Sequence, residues 1–71
     1  MAIAKGLYRH YKGGEYDVID VAIHSETEEE MVVYRPRYGE RLLWVRPLAM
    51  FEEEVSVEGN LVQRFSFVGE S

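Results

Sequence analysis

His24-Ser25-Glu26-Thr27 gathers an imidazole, two hydroxyls and a carboxylate into four consecutive positions, the side-chain types used in general acid-base and nucleophilic catalysis. One reading of the chain is therefore a small hydrolase or lyase in which His24 works with Glu26 or Ser25. Adjacency argues against it, because neighbouring residues at a strand end point to opposite faces and working constellations are defined by convergence in space. In the simpler reading Ser25 and Thr27 satisfy turn amides while His24 ends a strand. His10, His24 and Glu26 would offer zinc nitrogen and oxygen ligands if paired strands put both imidazoles on one face. Two histidines with no short ligand motif between them are a thin basis, so no metal and no cofactor is expected. His10-Tyr11-Lys12-Gly13-Gly14 has the glycines and cation of an anion-cradling loop. It lacks the full glycine-lysine-hydroxyl pattern and a following helix, and a glycine hairpin accounts for it.

A stronger functional signal is Tyr34-Arg35-Pro36-Arg37-Tyr38 with Trp44-Val45-Arg46, where arginines and aromatics alternate. Guanidinium groups offer forked donors to carboxylate or phosphate, and aromatic faces stack on rings or peptide groups. The formal net charge is -5, yet residues 31–51 carry +3 while the segments on either side carry -4 each. The overall charge argues against a general nucleic-acid binder, whose affinity comes from neutralising phosphates. Glu28-Glu29-Glu30 and Glu52-Glu53-Glu54 read as solvated faces. The leading reading is a non-enzymatic binding module for a small anionic ligand or a partner segment, with Tyr8, His10, His24, Glu26, Tyr34, Arg35, Trp44 and Arg46 as the candidate residues. The competing reading puts Trp44 in the core and lets the arginines neutralise nearby glutamates. A third reading is a structural domain that oligomerises through an exposed strand edge or aromatic patch.

Seventy-one residues leave room for one core, since a domain of this size buries only about 60% of the surface its unfolded chain exposes. Residues 1–71 are accordingly read as a single domain. There is no cysteine, which points to a reducing cytoplasm, and no apolar run approaches signal-peptide or membrane-span length.

Short runs of β-branched and aromatic residues alternate with glycine, proline and polar clusters, the pattern of strands joined by tight turns. Strands are expected at Leu7–Tyr11, Glu15–Ser25, Met31–Arg35 and Leu42–Arg46. The inward parity changes at Val18-Ile19, which predicts a bulge or bend there. Proline suits a first helical position, so Pro47–Phe51 is read as one helical turn whose Leu48, Met50 and Phe51 plug one end of the fold. Val55 and Val57, the turn Glu58-Gly59-Asn60, and Leu61, Phe65 and Phe67 are read as one closing hairpin. The predicted fold is all-β, a small SH3-like antiparallel barrel or roll of about five to six short strands with one short helical turn.

Tyr8-Arg9-His10-Tyr11-Lys12-Gly13, His24-Ser25-Glu26-Thr27, Val32-Val33-Tyr34, Tyr38-Gly39, Trp44-Val45-Arg46-Pro47 with Met50-Phe51, and Arg64-Phe65 together resemble a bacterial family known as domain of unknown function number 1653. The resemblance covers almost the whole chain. It implies an SH3-type barrel and carries no activity, so no site residue follows from it.

Overall fold

Among the described residues, turn chemistry cuts the chain into seven strands and one helical turn. The structure is a computed structural model that describes residues 3–70. The strands are β1 (Gly6–His10), β2 (Glu15–Ile23), β3 (Glu30–Pro36), β4 (Trp44–Pro47), β5 (Glu54–Val57), β6 (Asn60–Gln63) and β7 (Phe65–Gly69), with α1 (Leu48–Phe51) between β4 and β5. The main antiparallel sheet runs β4-β3-β2-β1-β7, and β5 and β6 form a separate hairpin.

Each connection has a local cause. Between β1 and β2 the Gly13 amide donates to the His10 carbonyl at 2.7 Å, with Gly13 at φ 107. β5 and β6 are joined by Glu58 and Gly59, at φ 52 and 84, the paired positive values of a type I′ hairpin turn whose twist matches the flanking strands. The predicted bulge is present, since the β2–β3 register shifts between Val18 and Asp20. Pro47 caps α1 at φ -54, a value its ring fixes in advance.

The core consists of Tyr8, Val18, Val32, Tyr34, Leu48, Phe51 and Phe65. Phe51 and Phe65 stack with centroids 4.1 Å apart, and Tyr8 and Tyr34 meet Phe51 edge-on at 5.3 and 5.8 Å. The sheet curls strongly. In a flat sheet β4 and β7 would lie about 19 Å apart, four spacings of ~4.8 Å, yet the Arg46 guanidinium of β4 sits 5.5 Å from the Phe65 ring centroid of β7.

Three expectations are corrected. The closing hairpin does not continue through Phe67: at Arg64 the chain leaves β6, its amide donating to Glu53 O at 3.0 Å and its carbonyl accepting from the Tyr11 amide at 2.9 Å. The next residues then pair with β1, Phe65 opposite His10 and Phe67 opposite Tyr8. The row Leu61, Phe65, Phe67 is thereby broken, and only Phe65 is buried. Trp44 is not core but 57% exposed, because it stands on the edge strand while Leu48 and Phe51 of α1 fill the space inside. Of the three side chains expected to plug the fold, Leu48 and Phe51 point inward and Met50 faces solvent. The same edge position leaves Val45 exposed.

Candidate functional site

β3 pairs Tyr34 with Trp44 and Val32 with Arg46 of β4, so Tyr34, Trp44 and Arg46 project from one face of the sheet. Tyr16 reaches that face from β2, in register with Pro36. His10 and Phe65 come from β1 and β7, and Tyr38 from the loop between β3 and β4. These side chains line an open cleft of about 330 Å³, with Glu40, Arg41 and Leu42 at its rim. That volume lies at the small end of ligand sites.

Tyr16 is the hub of the rings. It meets Tyr34 at 5.5 Å, Tyr38 at 5.8 Å and Phe65 at 5.4 Å, all edge-to-face, the arrangement that aromatic quadrupoles favour. Its hydroxyl lies 2.7 Å from the Tyr38 hydroxyl. Burial first, and then the hydrogen bond to Tyr38, push the Tyr16 pKa from 10.0 up to about 12. The folded state therefore holds this proton after the unfolded chain has released it. The contribution to stability is complete below pH 10 and is lost as the pH rises through about 12. In an ultraviolet titration of tyrosinate, Tyr38→Phe is expected to bring the Tyr16 transition back toward pH 10. An unchanged titration would remove the hydrogen bond as a cause.

His10 stands 4.9 Å edge-on to Phe65. Burial, then the charges of Arg64, Arg46 and Lys12, hold its pKa below 6.5, which keeps the ring neutral at pH 7. Its Nδ1 accepts the Lys12 amide at 3.1 Å, so the neutral ring carries its proton on Nε2.

The arginines fall into two sets. Arg9 pairs with Glu15 at 2.8 Å, Arg37 forks onto Asp17 with two contacts of 2.9 Å, and Arg64 meets Glu53 at 2.9 Å. Arg35 instead donates its Nε to the Arg41 carbonyl at 2.9 Å. Among the described residues no carboxylate is in ion-pair contact with Arg35, Arg41 or Arg46. Every arginine of the second set lies at or beside the cleft.

Four of the residues expected to bind a ligand are thus brought together: His10, Tyr34, Trp44 and Arg46. Arg35 is adjacent but is of the other parity in β3, where it anchors the loop through Arg41. Tyr8 is 6% exposed, its hydroxyl donating to Ala4 O at 2.8 Å and its ring packed on Phe51 and Phe67. His24 and Glu26 lie in the turn beyond β2, roughly 25 Å along the strand from Tyr16 at ~3.3 Å per residue. There His24 Nδ1 accepts the amides of Glu26 and Thr27 at 3.1 and 3.3 Å, and Thr27 Oγ1 accepts that of Glu29 at 3.2 Å. The histidine thus does turn work, with its acceptor nitrogen already engaged, and neither Ser25 nor Glu26 enters the cleft. Among the described residues no group of three or more His, Cys, Asp or Glu side chains is arranged to hold a metal ion. No helix among them is long and apolar enough to cross a membrane. Sequence reasoning missed Tyr16, Tyr38, Arg41 and Phe65 as cleft residues. A signal for Tyr38 was its place in the arginine-aromatic segment, whereas Tyr16 and Phe65 arrive only through strand pairing.

Fold and site together define a small all-β fold whose curled sheet opens an aromatic, arginine-edged cleft beside one edge strand. The chain belongs to the DUF1653 family, described as proteins of unknown function, whose sequence pattern matches residues 6–67. It is similar to the crystal structure of a DUF1653 protein from Bordetella bronchiseptica, with 34% sequence identity and a TM-score of 0.88 over 97% of this chain and 91% of the other. No curated protein matches.

Proposed function

We propose that this domain is a binding module whose cleft takes a small anionic ligand with a flat apolar part. The anion would meet Arg46 and the flat part would lie against the exposed rings of Trp44 and Tyr38, above the buried Tyr34 and Phe65. The observation that carries this reading is Arg46 itself. It is half-buried, stands over an aromatic ring at 5.5 Å, and has no carboxylate in ion-pair contact among the described residues, in a chain of net charge -5. A cation in that position favours an anion as ligand and disfavours quaternary ammonium groups, which aromatic clefts otherwise attract. The wider reading keeps the SH3-type barrel as the architecture and the cytoplasm as the compartment, supported by the curled sheet and by the lack of cysteine.

Titration of indole-3-acetate, phenyl phosphate and adenosine monophosphate, followed by NMR, tests it. At least one is expected to shift the Trp44 indole and the signals of Tyr34 and Phe65, and silence from all three would overturn it. Trp44→Ala supplies a second check. At an exposed site it should change stability by no more than about 1 kcal/mol while weakening the bound probe by about tenfold or more. A loss near the ~3–5 kcal/mol of a core aromatic, read from urea unfolding, would return Trp44 to the core and refute the site.

A further inference from the structure

We infer that the natural occupant of the cleft is an extended acidic peptide segment that pairs along the open edge of β4 and lays alternate side chains over the rings. This rests on the cleft reading above and adds the partner. Among the described residues β4 has a single strand neighbour, β3, so alternate backbone groups along it point away from the sheet. Edge strands are usually guarded by lysine, a bulge or an internal proline. β4 has no lysine and no bulge, its guards being its length of four residues, the charge of Arg46 and Pro47 at its end, and Leu42, Leu43, Trp44 and Val45 are all more than half exposed.

Strand addition gains affinity from the main chain and specificity from alternate side chains. The geometry suits that mode, because Trp44 and Arg46 are two residues apart and both line the cleft. An added strand has the same period of two, so every second side chain falls on the face that Trp44 and Arg46 present. The space of about 330 Å³ holds one large side chain of such a segment.

Charge decides who the partner is. A second copy paired through β4 would bring Arg46, with Arg41 beside it, of both chains to one seam, and like charges there repel. An acidic segment meets Arg46 on the cleft face and Arg41 beside it, neither of which has a carboxylate in ion-pair contact among the described residues.

The test uses a blocked nine-residue peptide with threonine at even positions, phenylalanine at the centre and glutamate at the remaining odd positions. Two further versions carry N-methyl groups on alternate amides, one set each, and phenyl phosphate serves as the small-anion control. The parent peptide is expected to shift the Trp44 indole and to slow hydrogen exchange of β4 amides. One N-methylated version should lose at least tenfold in affinity and the other should bind nearly as well. Arg46→Ala, shown to be folded by circular dichroism, should weaken the parent peptide at least tenfold. If phenyl phosphate binds and the peptide does not, the inference fails and the cleft reading stands; if the peptide, phenyl phosphate, indole-3-acetate and adenosine monophosphate are all silent, both fall. Equal binding by all three peptides would exclude strand pairing. Dimerisation of the chain alone, with β4 amides protected as concentration rises, would give the edge to a second copy and overturn the inference.

Discussion

Phe51→Ala is expected to leave most of the chain unfolded at 25 °C. Phe51 is 1% exposed and, with Val32, is one of the two most fully enclosed side chains of the core. Its ring stacks on Phe65 at 4.1 Å, and those of Tyr8 and Tyr34 meet it edge-on. Truncation removes the transfer free energy of the ring and leaves a cavity that three other rings cannot close, a loss of about 3–5 kcal/mol. A core of this size supplies a net stability of only ~3–5 kcal/mol, so the substitution removes nearly all of it. Met50 is the control, since it lies on the same helical turn but is 49% exposed. Met50→Ala should change stability by about 0.5 kcal/mol or less. Far-UV circular dichroism with urea titration reads both. A cooperative, near-native transition for Phe51→Ala would show that α1 does not anchor the core.

The consequences for the site follow from the same ring. α1 occupies the interior beneath β3 and β4, and that is why Trp44 has no room inside and stands at the cleft instead. Local pattern was enough to read the bulge at Val18-Ile19, because the apolar parity changes there, and the turn at Glu58-Gly59, because glycine follows a strand that alternates cleanly. It was enough for the helical turn as well, though not for its first residue: Pro47 has ψ 137, closes β4 and stands before the turn as its N-cap. The face shared by Trp44 and Arg46 was legible too, since it depends only on a period of two. What failed was everything that depends on which strand lies beside which. Phe65 belongs to the cleft because β7 crosses to pair with β1, and nothing local distinguishes that from a continued hairpin with β6. Tyr16 and Tyr38, twenty-two positions apart, share a hydrogen bond only because β2 and β3 pair in one register. His24 has the chemistry of a catalytic group, yet its Nδ1 performs the amide capping that the sequence suggests for Ser25 and Thr27.

Gly6→Ala is expected to be the most damaging substitution among the glycines. Gly6 has φ 138, a region that side chains other than hydrogen rarely enter, and a Cβ there would lie 2.5 Å from the Gly69 carbonyl oxygen and 3.2 Å from the Phe67 ring. The backbone term alone is about 1–3 kcal/mol, and the contact with a main-chain oxygen is relieved only if β7 moves. The register between β1 and β7 already shifts at Leu7/Tyr8, so this end of the pairing is the one that yields. Because Phe65 lies on the same strand opposite His10, displacing β7 disturbs the floor of the cleft. Gly6→Ala should therefore lose stability, lose hydrogen-exchange protection along β7, and weaken any probe bound at Trp44. Gly69→Ala, on the other strand of the same contact, has open space around its Cβ position and should leave all three nearly unchanged. If Gly6→Ala keeps native stability and full β7 protection, the close approach of β1 to β7 is not what holds Phe65 in the cleft.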